Sequence, residues 1–205
     1  MRIINAVTFF GSSTVSDQSS EFQAAKQIAA IVAKSDRKVV NGGGSGIMLA
    51  ATLGAQGAGG QTSVVYYEPE LATTFEGKEI HNFADTQYKE ANYVNRTQKL
   101  LELGDLYIIF NGGSGTISEF GMAWGLARLY FGHHKPLILF GEFWENIMDA
   151  FKKNMMIRKE EFEVFKIISS PQEVIPTIEA FEKIITHNRH NHPEDPNNKE
   201  SFLLL

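Results

Sequence analysis

The chain has 205 residues, a formal net charge of −5 and a pI near 5.7, and it contains no cysteine. That length supports one sizeable core, while the acidic balance argues against a general nucleic-acid or anionic-membrane surface, since either needs an excess of Lys and Arg. Lack of cysteine excludes disulfides, thiolate catalysis and zinc–thiolate binding.

Met1 to Phe10 lack a signal-peptide pattern, and no run approaches the ~18 apolar residues of a membrane span, so the expectation is a soluble cytoplasmic protein. Residues 2–10, RIINAVTFF, read as a first strand running into Gly11-Ser12-Ser13. Ser20 and Gln23 fit a capping box, and Phe22, Ala25, Ile28, Ala29 and Val32 recur at helical spacing, which predicts a helix over 20–34. Lys38 to Val40 form a short strand ending in Asn41 and the cluster Gly42-Gly43-Gly44-Ser45-Gly46. Ile47 to Gln56 follow as a helix of small apolar residues, stopped by Gly57 to Gly60. Thr62 to Tyr67 are a third strand, and Glu68 to Gly77 form a polar rim. Lys78 to Phe83 suit an edge strand, and Gln87 to Leu103 a helix with Val94, Leu100, Leu101 and Leu103 inward.

The organising stretch is 106–120, LYIIFNGGSGTISEF: an apolar strand, a glycine turn and a helix start. Glycines leave unpaired N–H groups at the helix N-terminus, where the macrodipole also favours an anion, so a phosphate fits there. Glu119, read in the first helical turn, sets a carboxylate beside that cradle. By itself Thr116-x-x-Glu119 is also a capping box. The helix from Glu119 to about Tyr130 buries Phe120, Trp124 and Leu129; His133 and His134 fall in the loop at its end. Pro136 to Phe140 and Phe165 to Ile168 give further strands, Phe143 to Phe151 and Pro171 to Ile185 further helices. This alternation predicts an α/β, Rossmann-like doubly wound sheet, mainly parallel, with helices on both faces. It occupies a single domain over 1–186, with a polar, flexible tail over 187–205. His187, His190 and His192 in that tail have nothing to orient them as metal ligands, and no metal site is expected.

Residues 111–119, Asn-Gly-Gly-Ser-Gly-Thr-Ile-Ser-Glu, differ only at the first position from the signature Pro-Gly-Gly-x-Gly-Thr-x-x-Glu. Arg96 lies upstream at the signature's spacing, Gly42 to Met48 read Gly-Gly-Gly-x-Gly-Ile-Met, and Phe9 to Ser13 and Lys135-Pro136 complete the ordered set. Over residues 5–155 the chain thus resembles the Lonely Guy (LOG) proteins, cytokinin nucleotide phosphoribohydrolases, and bacterial relatives often labelled lysine decarboxylases. Asn111, Thr97 and Leu49 stand where that family or its bacterial members carry proline, lysine and glutamate, and Lys99 is a candidate replacement for the lysine.

The resemblance implies hydrolysis of the N-glycosidic bond of a nucleoside 5′-monophosphate, AMP or a cytokinin-type nucleotide, to free base and ribose 5-phosphate. It assigns catalysis to Glu119 and Arg96, and phosphate binding to Gly112, Gly113, Ser114, Gly115 and Thr116. The resemblance also implies that Gly11, Ser12, Gly43 and Gly44 line the rest of the crevice. It implies no cofactor, and a small-molecule nucleotide as ligand rather than nucleic acid or membrane. A homodimer or larger homo-oligomer is also expected, supported by aromatic and methionine residues between Phe120 and Met156. The competing class is a non-catalytic carrier of a nucleotide or phosphorylated cofactor, because the glycine loops also resemble those of molybdenum-cofactor carriers. A pyridoxal-phosphate decarboxylase lacks support, since no lysine stands in a context specific for a Schiff base.

Overall fold

Strands that are short and nearly all apolar need cover on both sides, and a parallel sheet between two helical layers supplies it. The computed structural model describes residues 2–68, 79–129 and 135–189. Within them the strands β1 (Ala6–Phe10), β2 (Lys38–Asn41), β3 (Thr62–Tyr67), β4 (Thr86–Glu90), β5 (Leu106–Ile109), β6 (Leu137–Phe140) and β7 (Phe165–Ile168) make one sheet, ordered β4-β3-β2-β1-β5-β6-β7. Every pairing is parallel. The helices are α1 (Ser20–Lys34), α2 (Ile47–Gly57), α3 (Tyr93–Leu103), α4 (Ser114–Leu129), α5 (Phe143–Asn154) and α6 (Val174–Arg189). This is the α/β, Rossmann-like doubly wound arrangement expected. No helix among the described residues is long and apolar enough to cross a membrane.

Side chains alternate across each strand, and two cores result. Val7, Phe9, Val39, Ile108 and Ile138 pack with α1, α2 and α6 on one face. Phe10, Val40, Tyr107, Ile109 and Leu139 pack with α3, α4 and α5 on the other. The chain changes face where it returns from β4 to β5, which pairs with β1. Strand order therefore diverges between β1 and β5, the switch point at which the loops after neighbouring strands part and leave a crevice.

The structure changes several expected details. Thr86–Glu90 is a strand rather than the start of a helix, whereas 79–83 is turn and irregular backbone, not strand. TQYKE has no apolar run because the sheet edge only half-buries alternate residues, and pairing with β3 supplies its backbone bonds. Starting at Tyr93, α3 turns Val94 outward, 65% exposed. The cap of α1 is Ser19, whose side chain accepts from the Phe22 N–H; Gln23 bonds instead to the Asp17 carbonyl. The last helix continues to Arg189, past the expected boundary at 186. Most of the 68–77 rim, the Leu129 and His187 side chains, His133, His134 and the tail from His190 lie outside the described residues.

Candidate functional site

A cavity of about 320 Å³ opens at the switch point. Phe9 to Thr14 line it from the end of β1, Gly42 from the loop after β2, Met48 from the first turn of α2, and Tyr66 and Tyr67 from the end of β3. Tyr93 and Arg96 enter from α3, and Gly113 to Thr116 with Glu119 from α4. Segments far apart in the chain meet here because carboxyl ends of parallel strands all point the same way.

Arg96 holds these segments together. Its guanidinium donates from Nε to the Val65 carbonyl at 3.1 Å, from Nη1 to Glu119 Oε1 at 2.9 Å, and from Nη2 to the Gly42 carbonyl at 3.3 Å. Only 9% of Arg96 and 7% of Glu119 are exposed. A charge so buried is tolerated when it is paired and hydrogen-bonded. Three directions of the guanidinium fork are thus committed to the protein, which makes Arg96 an orienting group for Glu119. Gly42 permits the approach: a Cβ there would stand 1.7 Å from Arg96 Nη2. Burial pushes the Glu119 carboxyl above its ordinary value of 4.5, opposed by the charge and hydrogen bond of Arg96.

Helix α4 begins at Ser114, two residues before Thr116, so Glu119 lies in the second turn and not the first. The first intrahelical bond runs from the Ile117 N–H to the Gly113 carbonyl at 3.0 Å. The amides of Ser114, Gly115 and Thr116 precede it without an intrahelical acceptor, and these residues line the cavity, a helix N-terminus suited to an anion. Thr116 is inside the helix and Glu119 bonds to Arg96, so the capping-box reading of this pair does not hold.

Of the residues expected at the site, Gly11, Ser12, Gly113, Ser114, Gly115, Thr116, Arg96 and Glu119 come together around the cavity. Gly43, Gly44 and Gly112 do not line it. Gly43 has φ of +71° and donates its N–H to Asn41 Oδ1 at 2.9 Å, and the Gly44 carbonyl accepts from Asn82 Nδ2 at 2.8 Å. These two shape the first glycine loop. Gly112 gives room for Thr116, whose Oγ1 would lie 2.2 Å from a Cβ at that position. Lys99 does not replace the missing lysine at the cavity; it pairs with Glu102 at 3.1 Å. Thr97 is buried on the α3 side, and Asn111 contributes its carbonyl to the Ser12 N–H at 2.9 Å.

Tyr66, Tyr67, Tyr93 and Met48 were not anticipated as lining residues. The signals available were Asn92, which caps α3 and fixes where Tyr93 starts, and the position of Tyr66-Tyr67 at a strand's carboxyl end. Among the described residues no group of three His, Asp or Glu could hold a metal ion.

Comparison with known proteins agrees with this architecture. An X-ray structure of the structural-genomics target TM1055 superposes with a TM-score of 0.64 at 22% identity, over 88% of this chain and 99% of that one. The molybdenum cofactor binding protein of the phototrophic bacterium Rippkaea orientalis follows at 0.61 and 22%, over 86% and 94%. The molybdenum cofactor carrier protein of Chlamydomonas reinhardtii gives 0.58 and 16%, over 88% and 98%. At these identities the likeness is one of fold. No curated protein matches the chain. The SLOG cluster4 family model, however, matches residues 5–174, from the first strand to the start of the last helix. With both glycine turns, Arg96 and Glu119 inside that span, the chain belongs to this LOG-like family, SLOG cluster4.

Proposed function

We propose that the protein hydrolyses the N-glycosidic bond of a nucleoside 5′-monophosphate such as AMP or a cytokinin-type nucleotide, releasing free base and ribose 5-phosphate. The observation that carries this reading is the buried Arg96–Glu119 pair, 2.9 Å apart, set beside a helix N-terminus in the same cavity. The phosphate sits on the amides of Ser114 to Thr116, and the sugar then spans toward Glu119. As the bond from C1′ to the base nitrogen breaks, the electron pair leaves with the base and positive charge develops on the sugar. The Glu119 carboxylate stabilises that charge and takes a proton from the water whose oxygen joins C1′, and that proton passes on to the departing base nitrogen, which leaves Glu119 ionised again. Arg96 fixes the carboxylate's orientation. Backbone donors at the helix start suit one phosphate without a metal.

The test is release of free base from a panel of nucleoside monophosphates, followed by chromatography. Wild type is expected to release base from at least one adenine nucleotide, and Glu119→Gln to do so at least about 10²-fold more slowly. Tight nucleotide binding with no base released from any monophosphate would overturn hydrolysis in favour of a carrier. Unchanged turnover in Glu119→Gln would remove the glutamate from the mechanism.

A further inference from the structure

Three tyrosines, Tyr66, Tyr67 and Tyr93, share the cavity lining with the glycine turn. Tyr93 is the first residue of α3, fixed there by Asn92, whose side chain accepts from the Asn95 N–H at 2.9 Å. Its hydroxyl donates to the Gly115 carbonyl at 3.1 Å and lies 2.6 Å from Ser118 Oγ. These bonds pin the far end of the ring to α4, so its orientation is set at both ends. The ring of Tyr67 meets it edge-on, with centroids 6.2 Å apart and planes at 73°. Arg96 Cζ lies 6.0 Å from the Tyr93 centroid, within cation–π range.

The cavity lining therefore carries two kinds of chemistry, which meet where the Tyr93 hydroxyl donates to the Gly115 carbonyl. One kind is the amides and hydroxyls of Ser12, Ser13 and Ser114 to Thr116; the other is the aromatic faces and edges of Tyr66, Tyr67 and Tyr93. A ligand matching both carries an anion and a flat π-system joined by a short polar spacer. Resting on the nucleotide reading above, we propose that the Tyr67–Tyr93 corner receives the base and is the source of the site's selectivity for aromatic-base nucleotides over base-free sugar phosphates. Aromatic side chains bind any base through its π face, so the corner sets the class of ligand and leaves the individual base to edge contacts. The tether from Tyr93 to Gly115 gives the ring a second effect, because the residue that meets the base also braces the turn that meets the phosphate.

Calorimetric titration of the full chain with AMP and with ribose 5-phosphate separates these roles. Wild type is expected to bind AMP about tenfold or more tightly than ribose 5-phosphate, and Tyr93→Leu and Tyr67→Leu each to lose about tenfold in AMP affinity. Tyr67→Leu keeps its affinity for ribose 5-phosphate, and Tyr93→Leu, which also loses the brace, loses less for ribose 5-phosphate than for AMP. Tyr93→Phe keeps the ring and loses the hydroxyl bonds, so it retains the preference for AMP. Equal affinity of wild type for the two ligands would overturn the proposal. So would equal losses for both ligands in both leucine variants, which would make the tyrosines braces only, or unchanged affinities in both. The titrations are repeated in the Glu119→Gln background, where turnover is slow, so binding is read apart from hydrolysis; a wild type that prefers AMP yet releases no base supports the tyrosine corner while refuting hydrolysis. A wild type that binds neither ligand refutes both.

Discussion

Glu119 is subject to opposed influences, and their balance has a measurable sign. Burial raises its carboxyl above 4.5 while Arg96 pulls it down, and burial is the larger effect. Folded protein thus holds the proton more tightly than unfolded chain does. Its contribution to stability is complete below 4.5 and is lost as pH rises through the raised folded value. Catalysis runs the other way, because a carboxylate that stabilises a cation or accepts a proton must be ionised. The acid limb of kcat/KM for base release is therefore expected above 4.5, and Glu119→Gln should lack that limb. Denaturation of wild type and Glu119→Gln across the same pH range should show wild type gaining stability relative to the variant on acidification. An acid limb at or below 4.5 would contradict the burial argument. The presence of Glu119 at the cavity was legible through its motif, but its place in the helix was not. Glycine-rich starts do not mark their first helical residue, and Ser114 opened the helix before Thr116 could act as its cap.

At the scale of elements, the site depends on α3, which carries Tyr93 and Arg96 in its first turns and ends far from the cavity. Lys135, just ahead of β6, donates from Nζ to the carbonyls of Leu101 at 2.6 Å and Glu102 at 2.9 Å. A cation on the last carbonyls of a helix satisfies acceptors that have no intrahelical partner and complements the dipole. Burial lowers the Lys135 ammonium below its ordinary value, with Asp105 and Glu102 opposing. This gives a physical reason for Lys135-Pro136 among the ordered motifs: it anchors the helix behind the site. Lys135→Met should cost about 1.5–3 kcal/mol, the range for hydrogen bonds to a charged group, read as a lower urea midpoint at unchanged slope. No loss would mean that water serves those carbonyls equally well. Strands β3 and β7 were legible to the residue because apolar runs bounded by turns specify them. Strand β4 was hidden, since a polar edge strand owes its existence to the neighbour it pairs with.

On the scale of the whole molecule, the sequence of strands and helices was readable because periodicity changes wherever the chain changes layer. What periodicity could not show was which apolar residues a second layer would absorb. Phe120 and Trp124 pack inward as their spacing predicts, but Trp144 and Phe151, part of the aromatic surface expected to drive self-association, pack into the α4–α5 core as well. The outward face of α4 is what remains. From Gly113 to Ala127 the only charged residue is Glu119, which points inward. Ile117 is 60% and Met122 39% exposed, and a Cβ at Gly121 or Gly125 would meet nothing within 4 Å. An exposed helix face without charge has little to gain from water, and its glycines let another backbone approach closely. We therefore expect a homodimer that uses this face, because a stable interface needs roughly 1,000 Å² or more and only a broad surface can supply it. Sedimentation equilibrium at micromolar concentration should show dimer for wild type. Gly121→Arg, which places a long cation in open space rather than in the core, should give a folded monomer with an unchanged far-ultraviolet spectrum. A wild type that sediments as monomer would dismiss self-association, and a Gly121→Arg variant that remains dimeric would move the interface away from α4.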